Sequence, residues 1–129
     1  MNEKNPCALI TGISGQDGTY LAELLLRKNY KIIGITRNIE TTKEKLPFEL
    51  KNRIDLVSWD FTNQQKIIDI LLDNHPDEIY NFAAYSSGVG MYDNPIDISK
   101  INGLSVTLIL EAIRLIDPDI RFCQASSSE

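Results

Sequence analysis

Two rhythms of hydrophobic positions alternate along this chain. Short segments dense in aliphatic and aromatic residues stand at 8–11, 32–35, 54–57, 78–82 and 120–123. Segments of that length, closed by polar residues, read as buried strands. Between them the apolar residues recur at helical spacing. Leu21, Leu24 and Leu25 share one face of a helix predicted over 17–28. Thr62 and Gln65 have capping-box spacing and predict a helix running to about Asn74. A long helix is expected from 95 to 116, beginning near Pro95 and stopped by Asp117-Pro118. The Lys/Glu-rich stretch 38–52 reads as a loop with at most a short helix. Strands separated by helices, without hairpin dipeptides, indicate an α/β fold with a parallel sheet and right-handed crossovers. A doubly wound sheet in the order 3-2-1-4-5 satisfies that pattern.

The long helix is apolar almost all round. Ile101, Leu104, Leu108 and Leu115 have core spacing and are expected on the sheet, while Val106, Ile109, Leu110 and Ile113 spread beyond that stripe. A helix of this kind must be covered on a second side. A homo-oligomer built through 95–116 is therefore expected.

Composition narrows the class. With 129 residues, 43% hydrophobic and 24% charged, the chain has the make-up of one globular domain. Thirteen basic against eighteen acidic residues argue against a nucleic-acid or anionic-membrane surface, which needs clustered Lys and Arg. The longest apolar stretch, 104–110, is broken by Ser105 and Thr107 and is too short to span a bilayer. The polar start, Met1 to Lys4, has no signal-peptide character, so a cytoplasmic location is expected. Cys7 and Cys123 fall on strands with one strand between them, about 10 Å apart. That is beyond disulfide reach, and two buried, reduced thiols are expected. No Cys/His cluster has metal spacing, so no metal is expected.

The chemistry concentrates at Thr11-Gly12-Ile13-Ser14-Gly15-Gln16-Asp17-Gly18, at the junction of the first strand and first helix. A helix N-terminus offers unsatisfied N–H groups and the positive end of its dipole to an anion. Gly12 permits the tight turn, Gly15 lets the backbone approach a pyrophosphate, and Gly18 lets the helix pack closely. Together with Ser14, Gln16 and Asp17 they form a candidate dinucleotide-phosphate site on a Rossmann-type fold. An NAD enzyme usually ends its second strand with an acid for the ribose hydroxyls. Here the strand ends Ile35-Thr36-Arg37, and Arg37 suits a 2′-phosphate. NADP is favoured over NAD; Glu40, the alternative ribose acid, lies beyond the strand tip.

The G-x-x-G-x-x-G spacing, within TGISGQDGTYLAELLL, resembles the extended short-chain dehydrogenases/reductases, and within them the GDP-mannose 4,6-dehydratase branch. Further segments fall where that family's motifs fall: Trp59-Asp60-Phe61-Thr62, Pro76 to Asn81, Ala83-Ala84, and Arg121 to Glu129. The resemblance covers essentially the whole chain. It implies that residues 1–129 form an NAD(P)-binding Rossmann domain lacking the C-terminal part of the fold and the substrate domain. It implies further that Asp60, with Phe61 beside it, meets the adenine end of the cofactor, that Ala83 and Ala84 let the cofactor lie against the backbone, and that Ser86 lines the sugar site. Ser127 aligns with the catalytic hydroxyl residue and Glu129 with the base that takes the C5 proton. The implied substrate is a nucleotide-sugar, GDP-mannose first.

There are departures. No Tyr-x-x-x-Lys occurs in the chain, and neither Tyr85 nor Tyr92 has a lysine four residues on. The chain alone is therefore expected to be catalytically incompetent. Tyr85, Ser87 and Met91 differ from the run that lines the sugar site in close relatives. A 4-epimerase or reductase of the same family, and a non-catalytic dinucleotide-binding module, are the alternative readings.

Overall fold

Five parallel strands form one sheet in the order β3-β2-β1-β4-β5. The computed structural model describes residues 5–83, 96 and 103–125. Along the chain β1 (Cys7–Thr11) leads into α1 (Gln16–Arg27), β2 (Lys31–Thr36), α2 (Ile39–Lys45) and α3 (Phe48–Lys51). Then come β3 (Ile54–Ser58), α4 (Gln64–Asn74), β4 (Glu78–Asn81), α5 (Ser105–Ile116) and β5 (Arg121–Gln124). The expected strand order holds. Each strand lies within a residue or two of its apolar segment.

The pleat sorts side chains into two cores. Leu9 of β1 stands between Ile33 and Ile79 in register and faces α4 and α5, through Ile67, Ile70, Leu71, Ile109 and Ala112. Ala8 and Ile10 point the other way, onto Ala22, Leu25 and Leu26 of α1 and onto Leu46 and Leu50. Covering both faces is what a parallel sheet requires. Each fully buried Leu or Ile contributes roughly 1.5–3 kcal/mol over its exposed state.

Four expectations need correction. The stretch 38–52 holds two short helices, α2 and α3, in place of a loop with at most one. Asn38 caps α2 by accepting the Thr41 N–H at 3.0 Å, and buried Leu46 and Leu50 pin the segment to the core. Second, α4 is capped by Asn63, whose Oδ1 accepts the Lys66 N–H at 3.0 Å, and not by Thr62. The Thr62 hydroxyl is turned back onto Asp60 instead.

The third concerns α5, whose described part begins at Ser105; 95 and 97–102 lie outside the described residues. Its buried face is Ser105, Ile109, Ala112 and Ile113, whereas Leu104 and Leu115 are exposed. The small side chains of Ser105 and Ala112 let the helix approach α4 and the sheet, which an all-leucine stripe would not. Last, Cys7 is buried but Cys123 is exposed, because β5 is the edge strand. Both thiols are free.

One polar cluster stands on the α1 side of β4 and β5. Glu78, itself buried, accepts from the Tyr30 and Tyr80 hydroxyls at 3.0 Å each and from Arg121 Nη2 at 2.6 Å. Among the described residues no helix is long and apolar enough to cross a membrane.

Candidate functional site

The C-terminal ends of the strands meet where the winding reverses, between β1 and β4. In open α/β sheets that crevice is where ligands bind. Gly12 ends β1 with φ +68, the left-handed region that favours glycine. A Cβ there would also stand 2.8 Å from the Phe82 carbonyl carbon and 2.9 Å from the Ala83 nitrogen. Gly12 therefore serves both the turn and the close crossing of the chain leaving β4, a second demand invisible in the motif. The loop closes through Gly15 N–H on Gly12 O at 3.1 Å, and the Thr19 hydroxyl donates to Ile13 O at 3.2 Å. Gly15 is the N-cap of α1 and offers no side-chain cap. Gln16 and Asp17 open the helix on the exposed side, while Gly18 is buried beneath the loop.

Beside this loop runs a groove of about 260 Å³. Gly12, Ser14, Arg37, Phe61 and Ala83, all expected site residues, line it together. Gly15, Gln16, Asp17, Gly18 and Asp60 do not line it. The first four sit at the start of α1, and Asp60 precedes Phe61 in the turn after β3. Ala84, Ser86, Ser127 and Glu129 lie outside the described residues.

The β3 turn is tightly organised. Asp60 Oδ1 accepts the Thr62 N–H at 2.8 Å, the Thr62 hydroxyl at 3.0 Å and the Asn63 N–H at 3.0 Å. These donors, the Thr62 N–H foremost, hold the Asp60 carboxyl below its ordinary range. Phe61 is forced to φ +69, unusual for an aromatic residue. Its ring is buried against Trp59, with centroids 4.7 Å apart. The Trp59 indole N–H donates to Asn63 O at 2.9 Å. Asp60 thus holds the turn that presents Phe61 to the groove.

Sequence reasoning missed the far wall. Asn38, Thr41, Thr42 and Lys45 also line the groove. Their spacing puts them on one face of α2. The signal was the Asn38–Thr41 cap spacing, hidden in a stretch read as loop. Glu40 is not among the lining residues, and neither is any other acid among those described.

A chain of side-chain hydrogen bonds, buried at Thr11 and Asn81, ties the strand ends together. Thr11 Oγ1 donates to Asn81 Oδ1 at 2.5 Å, and Asn81 Nδ2 donates to Gln124 Oε1 at 2.7 Å. Ala83 N–H in turn donates to Thr11 Oγ1 at 3.0 Å. The ends of β1, β4 and β5 are locked in mutual register, so the glycine loop keeps a fixed spacing to Phe82 and Ala83. Partners for both buried polar groups are what their burial demands.

Known proteins carry the same architecture. An epimerase from Methanothermobacter thermautotrophicus superposes with a TM-score of 0.80 at 24% identity, over 96% of this chain and 36% of its own. UDP-glucose 4-epimerase from Brucella ovis, solved in complex with NAD, gives 0.77 at 19% identity, over 95% of this chain and 36% of its own. At such identities the likeness is one of fold. In sequence, GDP-mannose 4,6-dehydratase of Yersinia enterocolitica is 36% identical over 131 aligned positions, covering 95% of this chain. The chain spans about a third of that relative's length, 35%. The family model described as GDP-mannose 4,6 dehydratase matches residues 9–129, and the chain belongs to that family.

Proposed function

We propose that this chain is the cofactor-binding part of an NADP-dependent nucleotide-sugar 4,6-dehydratase, acting in the cytoplasm on GDP-mannose. Family membership supports the reaction and the substrate class. The observation that carries the cofactor is the groove at the tip of β2: it is lined by Arg37 and by no acid among the described residues. A ribose diol is held by a carboxylate, whereas a 2′-phosphate is held by a guanidinium. The NAD of the Brucella ovis enzyme belongs to a protein of the same fold at 19% identity and does not fix the cofactor here.

In this reading the glycine loop takes the pyrophosphate, with Gly15, Gln16 and Asp17 presenting the helix start. Asp60 and Phe61 flank the adenine end, and Ala83 and Ala84 leave room for the other end. The chemistry oxidises C4 of the sugar, loses water across C5 and C6, and reduces C6. Ser127 is assigned the hydroxyl at C4, Glu129 the C5 proton, and Ser86 a sugar contact. The whole protein is proposed to complete the site with a Tyr/Lys pair and a substrate domain.

Calorimetry tests the cofactor. Losing a charged hydrogen-bond partner costs about 1.5–3 kcal/mol, so Arg37→Ala should weaken NADP binding roughly ten- to hundredfold and leave NAD unchanged. Equal loss for both nucleotides refutes the 2′-phosphate role.

A further inference from the structure

Arg37 is not the groove's sole cation. We propose that Lys45 is a second ligand for the same 2′-phosphate and sets, with Arg37, the preference for a phosphorylated ribose. The inference rests on the reading of the groove as an NADP site and adds to it a residue from a different element.

Geometry comes first. Asn38, Thr41, Thr42 and Lys45 stand at i, i+3, i+4 and i+7, and all four line the groove. Glu40, Lys43 and Glu44 fall on the other sides of α2 and do not. The helix is held firmly at the strand tip. Thr42 is buried, and its hydroxyl meets that of Thr36, at the end of β2, at 2.6 Å. Asn38 caps the first turn, and buried Leu46 follows the last, its N–H on Thr42 O at 3.0 Å. Lys45 is thus delivered to the groove by an anchored helix.

Charge comes second. A phosphate monoester carries about −1.5 to −2 charges at neutral pH. One guanidinium leaves much of that unbalanced in a groove with no cation but Lys45 left among its described lining. An ammonium on a flexible four-carbon stem is a mobile point charge suited to the remaining oxygen. The competing role is local. Lys45 lies in the last turn of α2, where a cation also suits the helix dipole. That role acts on stability and is blind to the 2′-phosphate.

The experiment separates the two with small probes. Binding of 2′,5′-ADP, 5′-AMP, NADP and NAD to the 129-residue chain is measured by calorimetry. The variants are Lys45→Gln, Arg37→Ala and the pair. Lys45→Gln should weaken NADP and 2′,5′-ADP by about two- to fivefold, the scale of an exposed charge contact, and leave NAD and 5′-AMP unchanged. The pair should lose more than either single change, and the salt dependence of NADP binding should fall. Equal weakening of all four probes makes Lys45 a packing surface for adenosine and overturns the proposal. No change in any probe, with only the denaturation midpoint lowered, leaves the dipole role and also overturns it. If Arg37→Ala lowers the phosphate preference while Lys45→Gln leaves it at the parent value, Lys45 alone is refuted. If the unmodified chain fails to distinguish 2′,5′-ADP from 5′-AMP, the NADP reading itself falls.

Discussion

A Cβ placed on Gly18 would overlap the Gly12 carbonyl oxygen and stand 3.0 Å from the Cα of Ile13, both of them backbone. One placed on Gly15 meets only Gly12 O, at an ordinary 3.4 Å. Gly15 also sits at φ −76, ψ 172, which any residue adopts. The two glycines are equivalent in the motif and different in the molecule: Gly18 is required by the packing of the fold, whereas Gly15 is exposed and has room for a side chain. Gly18→Ala should destabilise the chain by roughly 1–3 kcal/mol, the cost of overpacking, read as a lower urea midpoint. Gly15→Val should keep that midpoint near the parent value while weakening NADP about tenfold or more. Unchanged NADP affinity in Gly15→Val would move the pyrophosphate away from this loop.

At the scale of elements, β4 carries a pH dependence. Burial, and after it the hydrogen bond to Glu78, pushes the Tyr80 hydroxyl from an ordinary 10.0 up to about 12. Tyr30, whose hydroxyl donates to the same carboxylate, is raised as well, chiefly by that bond. A group whose pKa is raised on folding contributes stability that is complete below its unfolded value and lost as pH rises through the folded one. For Tyr80 that window runs from about pH 10 to about pH 12. Urea denaturation between pH 8 and 11.5 should show stability falling beyond pH 10, with a shallower fall in Tyr80→Phe. Parallel slopes in the two proteins would remove Tyr80 from the linkage. Elements also show what the sequence could reveal. The strands were legible because both faces of a parallel sheet are buried, which writes apolar runs such as Ala8-Leu9-Ile10 directly into the chain. The glycine loop was legible because its turn and close contacts restrict the residue types. Lys45 was not, since its direction depends on the phase of a seven-residue helix started by a single Asn38 cap. Nor was the Asn63 cap, because Thr62 and Asn63 are both competent and the choice is made by Asp60.

For the whole molecule the same ambiguity falls on α5, and there it decides assembly. A helix apolar nearly all round shows its composition but not which stripe its own sheet takes. The sheet and α4 take Ile109, Ala112 and Ile113, leaving Leu104, Leu110 and Leu115 at 44%, 45% and 53% exposure. Leu104 and Leu115 are three turns apart on one stripe, with Glu111 between them paired to Arg114 at 2.5 Å. Leu110 lies about 120° around the helix from that stripe, on the other flank of the core face. Exposed leucines therefore border the core on both sides, and exposed apolar residues of this kind mark association. We propose that the expected homo-oligomer uses these two flanks, Leu110 on one and Leu104 with Leu115 on the other, rather than the core residues Ile109 and Ile113. Leu110→Glu with Leu115→Lys should shift light scattering from dimer or higher species to monomer, without lowering the thermal midpoint of the monomer. Ile113→Lys should instead unfold the chain, because it buries a charge in the core. A clean monomer at high concentration before any substitution would show that neither flank of α5 holds a second copy of the chain.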